Sequence, residues 1–140
     1  MNCLNKGKIQ PNAAGILVVD SNRTMVSLNR NFLDLWSLSK HLIMSRDDEE
    51  VLKFVSKQFE YPKIFFKEVK EIYMQQDLEI HDTIKLKDGR IFERHSQPQW
   101  LEEKYVGRLW MFSCIAESRL ANNLLESSVN SCKYPILVNL

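Results

Sequence analysis

The chain has 140 residues, enough for one domain with a real core, and it is 44% hydrophobic, 26% charged and 10% aromatic, which excludes general disorder. Its 19 basic and 18 acidic residues give a net charge of +1, so no basic field marks it as a nucleic-acid binder. Cys3, Cys114 and Cys132 are odd in number and widely spaced, with no CxxC pair or Cys/His cluster; this argues against a zinc site and predicts reduced thiols in a cytoplasmic protein.

Residues 1–14 are polar, contain Pro11 and read as a tail. Lys6 and Lys8 precede the apolar run AAGILVV, an arrangement with some likeness to a signal peptide. The run stops at Asp20 without a small-residue cleavage site and is too short to span a bilayer, so no membrane segment is expected. Ile16 to Val19 form a short β-branched run, DSNR supplies a turn, and Met25, Val26 and Leu28 resume an apolar strand. That is a hairpin pattern.

Asn29 suits a helix N-cap, and Phe32, Leu33, Leu35 and Trp36 give a wide apolar stripe behind it. SLSKHLIMS reads as a short irregular or one-turn helical piece. Ser45 with Asp48 resembles a capping box, and the acids from Asp47 to Glu50 fall in the first turn of the next helix. Val51, Leu52, Phe54, Val55 and Phe59 are its apolar positions. Pro62 suits the first turn of a further helix carrying Phe65, Val69, Ile72 and Tyr73.

From Glu79 the period changes to two. Ile80, Ile84 and Leu86 alternate with His81, Thr83 and Lys85, and KDGR supplies the Asp-Gly of a tight hairpin. A second strand runs from Arg90 to about Trp100, LEEK turns the chain, and Tyr105 to Ile115 form the last strand. There Trp110, Phe112 and Cys114 share one face while Leu109, Met111 and Ile115 share the other. A sheet with one wet face alternates apolar with polar, so apolar residues on both faces predict that the outer face is covered. The candidate interface is therefore Leu109, Met111 and Ile115, with Leu120 and Leu124 from the following helical segment.

Four stretches carry a resemblance to the PAS sensor domains of bacterial sensor kinases and related signalling proteins. They are GILVVDSNRTMVSLNRNF, SRDDEEVLKFV, KDGRIFERHSQPQ and VGRLWMFSCIAE, covering about residues 15–117. The resemblance implies an α+β fold, a five-stranded antiparallel sheet with helices packed on one face. It also implies a non-enzymatic module of signal transduction that binds a small ligand or dimerises to regulate an output partner of histidine-kinase type. Two departures stand out. The family's final strand usually ends in Asp-x-Thr, and the matching positions here are Cys114 and Ala116; nor does a catalytic domain follow before Leu140. Residues 118–140 read as a helical linker or tail, and the chain is then a fragment of a larger sensor kinase or a protein that works by association.

In such domains the pocket lies between the sheet and the helical middle, which makes Phe32, Trp36, Phe54, Ile80, Ile84, Phe92, Trp110 and Phe112 the candidate lining. The competing reading is that they simply form the core of a ligand-free dimerisation module. Haem is disfavoured because no histidine lies between Asp47 and Gln76, where haem-binding relatives take their axial ligand. Covalent flavin photochemistry is excluded because no cysteine lies between Cys3 and Cys114; noncovalent flavin or a small metabolite stays open. A small enzyme is the third reading. His81, Asp82, Glu93 and His95 could approach one another across the hairpin, but parity sets His81 on the face opposite Ile80 and Ile84, so no catalytic and no metal site is assigned. The charges of this hairpin are expected mostly to face water.

Overall fold

The computed structural model describes residues 14–115 and the backbone of Val138–Asn139. The hairpin read at the start of the domain is present: β1 (Gly15–Asp20) and β2 (Met25–Leu28) pair antiparallel around the DSNR turn. Asp20 builds that turn, its Oδ1 accepting from the backbone N–H of Asn22 at 2.8 Å and of Thr24 at 2.9 Å. Four helices follow, α1 (Arg30–Trp36), α2 (Lys40–Ile43), α3 (Asp48–Ser56) and α4 (Pro62–Met74). The meander β3 (Ile80–Lys85), β4 (Ile91–Leu101) and β5 (Lys104–Ile115) completes the five main strands, and the two-residue β6 (Val138–Asn139) pairs with β2. The order across the sheet is β3-β4-β5-β1-β2-β6, antiparallel throughout.

Asn29 caps α1 as its position predicts, and it does more than cap. Its Oδ1 accepts from Phe32 N–H at 3.0 Å and from Ile16 N–H at 2.9 Å, while its Nδ2 donates to Ala14 O at 2.9 Å. One buried amide thereby fixes the start of α1 to the start of β1. The helix then lies close on the strand: a Cβ at Gly15 would sit 2.8 Å from the Phe32 Cα. This contact delivers Phe32, Leu35 and Trp36 to the inner face of the sheet, where Trp36 meets Phe92 and Phe112 edge-on at 4.9 and 5.1 Å between centroids.

One expectation is corrected. Ser45 and Asp48 form no capping box; Asp47 is the N-cap of α3, its Oδ1 accepting from Glu49 N–H at 3.0 Å, and Asp48 turns inward and is buried. The hairpin charges do mostly face water, with two exceptions: Arg90 and Arg94 on β4's side of the turn, like Arg108 on β5, are almost fully buried. The alternation that points Phe92 inward points Arg90 and Arg94 inward with it. Arg94 donates from Nε and Nη2 to the two carboxylate oxygens of Asp82, at 2.9 and 2.7 Å, and from Nη1 to Glu68 on α4 at 3.1 Å. Arg90 Nη1 donates to Leu35 O at 2.8 Å. Arg108 donates to Ser96 Oγ at 2.9 Å and to the carbonyls of Gln75 and Leu78, at 3.3 and 2.8 Å, where α4 ends. These guanidinium groups fasten α1 and α4 to the sheet.

β1 and β5 meet closely at Gly107, whose φ is 152° and where a Cβ would lie 2.0 Å from Val19 O. Gly107→Ala is expected to destabilise the domain by about 3 kcal/mol, from backbone strain plus the displaced β1 carbonyl. Urea unfolding of the two proteins measures this, and a loss below half a kcal/mol would contradict the close pairing.

Candidate functional site

A cavity of about 40 Å³ lies between the inner face of the sheet and the helices. That holds about three water-sized groups, far less than the roughly 300–1,000 Å³ of pockets that take drug-sized ligands. Of the eight residues singled out from sequence, Phe32, Trp36, Trp110 and Phe112 line it. Phe92 is fully buried beside them in the core, and Ile80 and Ile84 pack against that core from the edge strand β3. Phe54 projects from the outer side of α3 and is 36% exposed. The remaining wall is aliphatic and aromatic, with two exceptions, Asp48 and Tyr73.

Asp48 and Tyr73 belong to a chain of contacts crossing the domain. Trp110 Nε1 on β5 donates to Tyr73 Oη on α4 at 2.9 Å. Tyr73 is hydrogen-bonded in turn to the Asp48 carboxylate at the start of α3. Arg23, in the β1–β2 turn, donates to Asp48 Oδ2 from Nη2 at 3.0 Å and from Nε at 3.3 Å, and its guanidinium lies 4.3 Å from the centre of the Tyr73 ring. The backbone reinforces the junction: Asp48 N–H donates to Arg23 O at 3.1 Å and Met25 N–H to Arg46 O at 2.8 Å. Arg23 can reach Asp48 because it takes a left-handed conformation, φ 63°, in the turn.

The electrostatics follow from burial. Desolvation pushes the Asp48 carboxyl up, and the charge of Arg23 and the hydrogen bonds from Tyr73 and Arg23 only partly offset it. Burial also holds the Tyr73 hydroxyl well above its ordinary value, and the Asp48 charge adds to that. Burial works to lower Arg23, but its pairing with Asp48 prevails and the net shift is upward.

Sequence reasoning placed Asp48 in a capping box among the first-turn acids of α3 and overlooked Arg23. Four consecutive residues Asp47-Asp48-Glu49-Glu50 look alike as dipole partners. What distinguishes Asp48 is helical spacing: it precedes Val51, Leu52 and Val55 on the buried face of α3.

The outer face of the sheet carries the other candidates. His81, Glu93 and His95 meet there, with His81 Nε2 2.7 Å from Glu93 Oε2 and the two imidazoles 5.3 Å apart, while Asp82 is on the inner face with Arg94. The hairpin thus separates the four titratable groups rather than gathering them into a cleft. Among the described residues no group of three or more His, Cys, Asp or Glu is placed to hold a metal ion. Leu109 and Met111 are half-buried on this face opposite Val18 and Ile16, and Ile115 is buried. Leu120 and Leu124 lie outside the described residues, as do the N-terminal tail and most of the expected helical linker.

No protein-family model matches the chain, and no curated protein matches it by sequence. Solved structures do match. The PAS domain of BvgS from Bordetella pertussis superposes with a TM-score of 0.59 at 18% identity, over 92% of this chain and 96% of that one. The sensor region of a sensor histidine kinase superposes with a TM-score of 0.57 at 12% identity, over 75% of this chain; the chain spans 40% of that region's length. The chain has the PAS fold.

The raised carboxyl of Asp48 has a consequence for stability. Its unfolded form loses the proton near the ordinary value of 3.8 and its folded form only at higher pH. The folded state then holds the extra proton in between, so this residue's contribution is fullest below pH 3.8 and is lost as pH rises through the folded value. The stability difference between the natural protein and Asp48→Asn should therefore shrink from pH 4 upward and then level off, in urea unfolding at a series of pH values. A difference that grows with pH would mean that Arg23 holds the carboxyl below its ordinary range.

Proposed function

We propose that this PAS-fold domain works in signal transduction as a non-enzymatic module that binds a small ligand in the cavity, or dimerises, and so regulates an output partner of histidine-kinase type. The observation that carries the ligand reading is the cavity itself, an apolar space between sheet and helices into which a buried carboxylate and a tyrosine hydroxyl are built. Three of the elements a ligand would touch, α3, α4 and β5, are also tied into the Arg23–Asp48–Tyr73–Trp110 chain. A ligand that favours one arrangement of that chain shifts the packing of α3 and α4 on the sheet. The cavity's size favours a small metabolite over flavin or haem.

The second reading, a ligand-free dimerisation module, is favoured by the apolar outer side of β5, where Leu109, Met111 and Ile115 stand in one row. A homodimer through this face, or a partner protein seated on it, leaves the cavity as packed core. The resemblance to bacterial two-component sensors supports a bacterial kinase setting. Among the described residues no helix is long and apolar enough to cross a membrane. The odd, widely spaced cysteines, with no paired motif, support a cytoplasmic location.

Native mass spectrometry of freshly purified protein, with and without the pair Leu109→Asp and Met111→Lys, separates the readings. A mass excess per chain is expected from the ligand reading, and a bare dimer that the paired substitution dissociates from the dimerisation reading. A bare monomer in both samples overturns both.

A further inference from the structure

The sheet ends at β3, which pairs with β4 along one side and meets no other described strand along the other. An open edge is a template for a further strand, and folded domains commonly guard one with a bulge, a proline or a very short strand. β3 has none of these: it runs for six residues without proline and its register with β4 is unbroken. The opposite edge of the sheet differs, since β6 is two residues long. Charge is the one remaining guard on β3, and there the charges are self-complementary. The stretch EIHDTIK, residues 79–85, mirrors itself chemically about Asp82. Turned antiparallel through a two-fold axis at Asp82, Glu79 falls opposite Lys85, Ile80 opposite Ile84 and His81 opposite Thr83, each pair occurring twice.

Neighbouring registers lack this match. An axis at His81 sets Ile80 against Asp82, and an axis at Thr83 sets His81 against Lys85 and Asp82 against Ile84. The axis at Asp82 also suits an antiparallel ladder whichever alternate N–H groups point outward, and it keeps inner-face side chains opposite inner-face ones. The two Asp82 carboxylates that meet on it are already answered, each held by Arg94 of its own chain at 2.7 and 2.9 Å. Glu79 and Lys85 are exposed, and among the described residues neither makes an ion pair. Ile80 and Ile84 are half-buried at the rim of the core, and an opposing pair of isoleucines covers what they leave open.

We propose that β3 is a self-association edge, on which a second copy of this chain adds its own β3 antiparallel about Asp82 and joins the two sheets into one. The Glu79–Lys85 pairs select register and partner, and the backbone ladder with the isoleucine pairs supplies the contact. This surface is separate from the outer side of β5 and from the cavity, so it goes beyond both readings above.

The test is sedimentation equilibrium of the full chain at concentrations up to about 1 mM, on the natural protein, Glu79→Lys, Lys85→Glu and an equimolar mixture of the two variants. Each substitution alone sets like charges opposite one another twice and should weaken self-association about tenfold or more. In the mixture every altered charge faces an opposite one, so the heterodimer should regain the affinity of the natural protein. Both positions are exposed, so the variants keep the fold, which circular dichroism checks. A natural protein that stays monomeric up to that concentration overturns the proposal. A dimer indifferent to both substitutions overturns it too, and if Leu109→Asp with Met111→Lys dissociates that dimer, the contact lies on the outer side of β5 instead.

Discussion

Asp48 keeps almost no contact with water, and a carboxylate in that position must find its compensation inside the protein. It finds it from two directions, Arg23 arriving from the β1–β2 turn and Tyr73 from α4. Because Tyr73 also accepts from Trp110, four separate segments of the chain converge on one charge. The N-terminus of α3 supplies the favourable end of the helix dipole at the same point. The helical middle of the domain is thus not simply laid on the sheet by apolar contact. Its orientation is specified by a polar junction that tolerates one arrangement of turn, helix and strand, since any slippage leaves the carboxylate unpaired.

Around that junction the apolar and cationic contacts divide the work. The Trp36, Phe92 and Phe112 rings fill the centre, and Phe59 stacks on Phe65 at 3.8 Å below them. Buried Arg90, Arg94 and Arg108 then anchor the periphery, each reaching a helix end, a carbonyl or a carboxylate across the sheet. Such a domain has little free volume and a strongly determined interior. A small change at one corner of such an interior is transmitted by packed, hydrogen-bonded elements rather than absorbed in free space.

Much of this was legible in the residues. The DSNR and KDGR turns, the Asn29 cap, Pro62 at the start of α4 and the two periodicities place the elements in the right order, because each of those signals is local. The same is true of the inward set Trp110 and Phe112. What escaped is non-local. Arg94 reads as a surface charge until Glu68 and Asp82 are brought beside it from 26 and 12 residues away. Asp48 is one of four adjacent acids until the turn carrying Arg23 folds over it. Phe54, grouped with the pocket by its apolar character, falls on the side of α3 that Val51 and Val55 leave to solvent. Period-two alternation did carry the orientation of Arg90 and Arg94, and only the habit of assigning charge to water concealed it.

The most direct test of the junction is a double-mutant cycle on Arg23→Met and Asp48→Asn, with stability measured by urea unfolding at neutral pH. A coupling of about 1–3 kcal/mol between the two changes is the result this account predicts, since each residue removed alone strands the other. Additive effects, with coupling near zero, would show that the turn and α3 are held by backbone and apolar contacts alone and that the buried charge specifies nothing.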